Sequence, residues 1–351
     1  MKKKIFIMLS IIMTLMLMIT GCSSQNNTNK TDSSSVSGKN DNTKKVVRIA
    51  CATQNEVITD LGAGRIAQQK KYIEEEFQKI GYEVQYIPFA GAGPAINEAF
   101  VAKEIDFAVY GDLPSLVLKS KGIGTSIIAI TNNSVNMDLI VSKDSSINSI
   151  EDIKGKKIIV PKGTINQNYF QHLIDSNNIK INDVDVVNAG ADAQSTFLSG
   201  SVDGLVNPDI VAQKLVKDNS GKIIESTINK PEWSSQNMVV LRDDYAKDNP
   251  DVPVAFLKAL IRGKNFIKDT ADKNEIYKML DSGMGEEVTK KTLSFDGGKF
   301  DFTPVEINSD SINKLKDVNK FLLDQKLISN SVDVDKFINK TYYDKAIKEL
   351  K

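Results

Sequence analysis

Ile105-Asp106-Phe107-Ala108-Val109-Tyr110-Gly111-Asp112-Leu113-Pro114 is the stretch on which the fold turns. Its apolar run, Phe107 to Tyr110, reads as a buried strand, and Gly111-Asp112-Leu113-Pro114 as the loop that ends it. Upstream the same order of strand, loop and helix occurs twice. Val46 to Ala52 makes a first strand and Thr53-Gln54-Asn55 its loop; Ile66, Ile73, Phe77 and Ile80 then share one helical face before Gly81 stops the helix. Glu83 to Phe89 makes a second strand. The turn Ala90-Gly91-Ala92-Gly93-Pro94 leads from it into a helix over Ala95 to Lys103, with proline where a first turn tolerates it. Strands separated by helices in this way predict an α/β fold with a parallel sheet, whose loops at the carboxyl ends of the strands hold the ligand.

Downstream a second unit of the same kind begins near Asp138. Ser149-Ile150-Glu151-Asp152 reads as a capped short helix and Lys156 to Val160 as a strand. Thr164-Ile165-Asn166-Gln167 has the capping-box spacing, which marks Thr164 as the start of a helix burying Phe170, Leu173 and Ile174. Further strands are expected at Val184 to Val187, Val202 to Val206 and Lys222 to Ile224. The two units echo each other: Asp106 is followed six residues later by Asp112 across an apolar strand, and Asp203 by Asp209 likewise.

The chain has 351 residues, 41% hydrophobic and 26% charged, which is ordinary globular composition but too long for one core, so two lobes are expected. Lys plus Arg and Asp plus Glu both number 45, so the charge balance gives no reason to propose a nucleic-acid partner. Residues 1–21 have the layout of a lipoprotein signal peptide: Lys2 to Lys4, an apolar run from Ile5 to Ile19, then Thr20-Gly21-Cys22. Residues 22–45 are nearly all polar and are read as a disordered tether from a lipidated Cys22 that would hold the globule at a membrane outside the cytoplasm. With Cys22 so used, Cys51 has no disulfide partner and reads as a buried thiol.

The order of segments resembles the solute-binding lipoproteins of ABC importers, in the branch that handles aliphatic sulfonates, taurine, nitrate and thiamine precursors. The resemblance rests on Ile105 to Pro114, on Ile150 to Thr164 and on Ser199-Gly200-Ser201-Val202-Asp203-Gly204-Leu205-Val206. It implies a type II periplasmic-binding-protein-like fold of two βα lobes with a ligand cleft and two crossover strands. We place the crossovers at Asp138 to Ser142 and Met238 to Leu241, giving lobe 1 as 46–137 plus 242–351 and lobe 2 as 138–241. It also implies a small-molecule solute, ABC permease subunits as partners, and a monomer. Residues from Pro250 onward are expected to pack across the first lobe. Many relatives place an aromatic residue before Asp-Pro where this chain has Asn207-Pro208-Asp209, which leaves the lone Trp233 as the alternative ring for the cleft.

A small anion needs hydrogen-bond donors, and helix N-termini beside glycine turns supply them. The candidate contacts are therefore Gly91, Ala92 and Gly93, Gly111, Asp112 and Leu113, and Gly163 with Thr164. Side-chain amides at Gln54, Asn55, Asn132, Asn166 and Asn207 would orient the rest of the ligand, with Asp209 and Trp233 completing the set. A carboxylate at 112 would repel an anion unless it caps its own helix or the solute carries an amine, as taurine does. Four readings follow: a binder of a small anionic or zwitterionic molecule, a thiamine-precursor binder of the same fold, or, in other classes, an extracellular hydrolase or an adhesive lipoprotein. Catalysis has little support, since the single His172 sits mid-helix and no nucleophile, zinc or phosphate-loop motif occurs. Neither a cofactor nor a metal is expected.

Overall fold

The computed structural model describes residues 45–53 and 55–351. The residues read as a signal peptide, Cys22 with its expected lipid, and all but the last residue of the expected tether lie outside the described residues, as does Gln54. Lys45, assigned to the tether, opens the first strand.

In chain order the elements are β1 (Lys45–Cys51), α1 (Ala63–Gln69), α2 (Tyr72–Lys79), β2 (Tyr82–Pro88), α3 (Ala92–Val101), β3 (Phe107–Gly111), α4 (Asp112–Ser120), β4 (Thr125–Val135) and β5 (Met137–Ser142). Then come β6 (Lys157–Ile159), α5 (Ile165–Ser176), β7 (Asp185–Val187), α6 (Ala193–Leu198), β8 (Gly204–Pro208), α7 (Asp209–Lys217), β9 (Gly221–Ser226) and β10 (Ser235–Arg242). Helices complete the chain: α8 (Asp243–Asp248), α9 (Asp251–Asp269), α10 (Lys273–Leu280), α11 (Glu286–Leu293), α12 (Ser309–Asp324), α13 (Val334–Phe337) and α14 (Thr341–Glu349).

Two five-stranded sheets form the two lobes, in the orders β2-β1-β3-β10-β4 and β7-β6-β8-β5-β9. Each is mixed rather than purely parallel. In the first, β1 runs parallel to β2 and β3 while β10 is antiparallel to β3 and β4; in the second, β6 runs parallel to β7 and β8 while β5 is antiparallel to β8 and β9. The antiparallel member in each case is a strand that enters from the other lobe. Each sheet buries apolar side chains on both faces, as a sheet covered by helices on two sides must.

The crossovers placed at Asp138 to Ser142 and Met238 to Leu241 fall on β5 and β10, the strand of each sheet that enters from the other lobe. Asp138 to Ser142 lies wholly within β5 of the second sheet, so the outward passage is at Asn136, between β4 and β5. Met238 to Leu241 lies within β10 of the first sheet, so lobe 2 ends before Ser235 and the return runs through residues 227–234. An apolar run looks the same in either sheet, and only the long-range partners, β3 and β4, decide which one owns it.

Smaller differences have local causes. The helix expected across Ile66 to Ile80 breaks at Lys71, whose φ of 62° is left-handed, giving α1 and α2. The loop expected at Gly111 to Pro114 is absent, because α4 starts at Asp112 directly after β3. At the start of α5, Thr164 accepts from Asn166 N–H as an N-cap should, but Gln167 Oε1 reaches Gly163 N–H at 2.9 Å rather than the N–H of Thr164. The C-terminal helices pack mainly on the first lobe, α9 against α1 and α2 and α12 against α4, yet α11 lies on α7 of the second lobe. An ion pair of 2.7 Å between Lys217 and Glu287 marks that contact, so this segment straps the lobes together.

Candidate functional site

A cavity of about 590 Å³ lies between the lobes, at the carboxyl ends of β1, β3 and β8. That is where an open α/β sheet leaves its loops and helix N-termini free for a ligand. The first lobe contributes Thr53, Asn55, the Gly91-Ala92-Gly93 turn, Tyr110, Gly111 and Asn132 to its wall. The second contributes Thr164, Ile165, Asn166, Gln194, Asn207 and Asp209. Asn136, at the outward crossover, joins the two halves.

Ten of the fifteen proposed contacts thus face one hollow: Asn55, Gly91, Ala92, Gly93, Gly111, Asn132, Thr164, Asn166, Asn207 and Asp209. Gln54 lies outside the described residues. The remaining four do not line the cavity, for identifiable reasons. Asp112 turns inward: Oδ1 accepts from Leu113 N–H at 2.7 Å and Oδ2 from Gln236 N–H at 3.0 Å, and burial pushes its carboxyl up to about 6. Leu113 is buried in the first-lobe core. Gly163 faces Pro94 across the interlobe contact. Trp233 stacks on His172, ring centroids 6.1 Å apart and planes at 10°, with Lys230 Nζ 4.2 Å from the indole centroid. The aromatic wall expected of Trp233 therefore is not there.

Two of the amides also hold the walls in place. Asn132 Nδ2 donates to Asp60 O at 2.9 Å, and Asn166 Nδ2 to Val206 O at 2.8 Å. The first turn of α3 has no side-chain cap; Ala92 N–H already donates to Phe89 O at 3.0 Å and Pro94 has no N–H, which leaves Gly93 N–H for a solute. Around the outward crossover the polar groups interlock: Asn136 O accepts from Asp209 N–H, Asn136 Oδ1 from the Thr227 hydroxyl at 3.1 Å, and Thr227 Oγ1 from Met137 N–H at 2.9 Å. Both passages between the lobes are tied at this point.

Several wall residues were not anticipated. Asp60 lies in the run Asp60-Leu61-Gly62-Ala63-Gly64-Arg65, and its carboxylate accepts from the N–H groups of Gly62, Gly64 and Arg65, all within 3.0 Å. Aspartate two residues before a glycine at a helix start was a usable cap signal. Asn237, on β10, enters the wall because that strand belongs to the first sheet. The strap adds Ser282, Met284, Thr292, Leu293 and Phe295, so Phe295 provides an aromatic edge that Trp233 does not. No local pattern announces which lobe an amphipathic helix such as α11 will cover.

Comparison with known proteins agrees with this geometry. A protein of Bacillus subtilis (strain 168) named for the binding of aliphatic sulfonates is 27% identical over 294 residues, 81% of this chain and 84% of that protein. The crystal structure of the periplasmic sulfonate-binding protein SsuA from Methylobacillus flagellatus KT superposes with a TM-score of 0.71 at 27% identity, covering 87% of this chain and 94% of that one. The alkanesulfonate-binding SsuA of Xanthomonas axonopodis pv. citri, bound to MOPS, shares the fold with a TM-score of 0.70 at 19% identity over 84% of this chain and 98% of that one. The family model described as NMT1/THI5 like matches residues 65–273, more than half the length, and the chain belongs to that family.

Proposed function

We propose that this chain is the extracytoplasmic solute-binding component of an ABC importer, capturing a small anionic or zwitterionic molecule of the sulfonate, taurine or nitrate kind between its lobes. The observation that carries the reading is the interlobe cavity, where the glycine turn before α3, the start of α5 at Thr164 and the amides of Asn207 and Asn237 converge from opposite lobes. An oxyanion keeps its charge at every physiological pH, so fixed donors serve it better than titrating groups. The names of the similar proteins support the same solute class. In this reading the chain holds its ligand without breaking bonds, is tethered to the membrane through a lipid on Cys22, and delivers the solute as a monomer to permease subunits. Closure about the Asn136 and 227–234 passages buries the solute and sets the lobe surfaces for docking.

Isothermal titration against sulfonates, taurine, nitrate and thiamine-precursor pyrimidines tests it. One saturable site with a sulfonate, taurine or nitrate is expected. A chain that binds the pyrimidine alone, or none of the panel, overturns the solute assignment, and one that consumes its ligand overturns the assignment as a binder.

A further inference from the structure

Asp209 opens α7 in the cavity wall, yet it is only 2% exposed and its carboxyl faces the second lobe rather than the hollow. Its Oδ1 accepts from Gln213 Nε2 at 2.9 Å, and its other neighbour is the Asp138 carboxyl, to which it is hydrogen-bonded. Asp138, on β5, is wholly buried and stands in register with Asn207 of β8 and Ser226 of β9, whose hydroxyl lies beside it. Neither Asp138 oxygen nor Asp209 Oδ2 meets an N–H donor among the described residues. The other titratable groups around the pair are Tyr169 of α5 and Glu225 of β9, and neither brings a positive charge. Two carboxyl groups bonded to each other in such a place keep one proton between them, and that proton makes the bond.

We propose that Asp138 is a positioning residue for solute capture, donating its carboxyl proton to Asp209 and so fixing the start of α7 at the cavity wall. The inference rests on the solute-binding reading above and adds to it a residue that does not itself line the cavity. Asp209 is the joint through which the bond acts: its N–H donates to Asn136 O at the outward passage, at 2.9 Å, while Asn207 of the wall pairs with Asp138 across the sheet. One proton thus ties β5, α7 and the outward passage together behind the solute. Burial and the neighbouring Asp209 push the Asp138 carboxyl up to about 9, so the proton is in place near neutral pH and leaves in the alkaline range. Its loss replaces the bond by repulsion, which frees the start of α7, and sets a second negative charge behind a site for an anion. Asp60 accepts three N–H groups at the start of α1, and burial moves Tyr110 and Tyr169 further above their ordinary range. Lys314 of α12 holds Asn133 O, Pro231 O and Ser234 Oγ; burial lowers it, so it also loses charge on the alkaline side, but it faces Asp112 of the first lobe and not Asp138.

The test is calorimetric titration of the purified chain with propane-1-sulfonate, nitrate and taurine between about pH 7 and about pH 10. The first two keep one charge throughout, and their affinity is expected to weaken about five-fold or more across that range. Asp138→Asn offers an amide N–H to Asp209 at every pH, so its profile should be flat. Asp138→Leu keeps the volume but offers no donor, and should bind about ten-fold more weakly near neutral pH than Asp138→Asn does. If taurine alone binds, the native profile is read relative to that of Asp138→Asn, which cancels the titration of the taurine amine. A native profile as flat as that of Asp138→Asn, or a Leu variant that binds as tightly as the Asn variant, overturns this inference and leaves the solute assignment standing. An alkaline loss that persists in Asp138→Asn does the same and assigns the loss to Lys314. Should Asp138→Leu fail to fold, the native and Asp138→Asn profiles decide. Absence of binding by all three compounds near neutral pH overturns the underlying reading and this inference with it.

Discussion

Gly111, at the end of β3, faces Ile165, the first residue of α5 in the opposite lobe, so closely that a β-carbon at 111 would stand 2.5 Å from Ile165 Cγ2. The glycine is required by that approach and not by its backbone, since its φ of −72° suits any residue. Gly111→Ala should therefore wedge the lobes apart at their contact. A larger radius of gyration in the presence of ligand and an affinity about ten-fold weaker are expected, from small-angle scattering and titration. A variant that closes and binds like the native chain would show that the lobes do not meet here when loaded.

The spacing echo between Asp106 and Asp203 has a structural counterpart, and it separates two stability effects. Asp106 N–H donates to Arg48 O while its Oδ2 accepts from Arg48 N–H at 2.9 Å; Asp203 makes the same pair of bonds with Lys157, its Oδ2 accepting at 2.8 Å. Each aspartate thus pins the strand it precedes to the neighbouring parallel strand. Only Asp106 is fully buried, and it also takes a two-pronged ion pair from the Arg48 guanidinium, at 3.0 and 2.7 Å. Asp106→Ala should cost about 3 kcal/mol or more because it strands Arg48. Asp203→Ala should cost about 1 kcal/mol, the worth of one ordinary bond. Urea denaturation of the two variants checks the ranking.

Asp138 gives a pH signature with a definite sign. Its carboxyl sits at about 9 in the folded chain, against an ordinary aspartate value of 3.8, mainly through burial. Between those values the folded chain binds a proton that the unfolded chain has released, so this group makes stability fall as pH rises. Asp138→Asn removes the dependence. Its stability relative to the native chain should therefore grow from about pH 4 to about pH 9, reaching about 1–3 kcal/mol, the scale of a buried polar group left unsatisfied. Urea midpoints for both proteins across that range measure it, and parallel curves would sink the idea.

Trp233 packs on His172, and His172 in turn lies 5.9 Å from Phe321 of α12, so the stack sits beside the return passage rather than in the cavity. Trp233→Phe should change ligand affinity by less than about two-fold while removing the tryptophan emission of the chain. A large loss of affinity would put the indole back among the ligand contacts.

Much of the fold was legible because its signals are local. Strand runs such as Phe107 to Tyr110, the Thr164 cap and the glycine turn before α3 can each be read within a few residues, and ten of the expected wall positions follow from them. What was not legible depends on partners distant in sequence. Met238 to Leu241 is apolar in whichever sheet it pairs, and α11 is amphipathic whether it covers the first lobe or α7. Asp112 and Asp209 occupy matching first-turn positions after β3 and β8, yet the β10 backbone at Gln236 takes up one while Gln213 and the Asp138 carboxyl take up the other. That difference is set by tertiary neighbours alone.

The chain departs from the first sheet after Val135 and rejoins it at Ser235, and these two residues are bonded neighbours on adjacent antiparallel strands. Everything between them is a single uninterrupted excursion. A short hairpin turn would span the same gap, so the larger body carries a finished sheet whether or not the smaller one is grafted onto it. The architecture thus has a natural seam, along which the smaller half could be exchanged wholesale while its host remained intact.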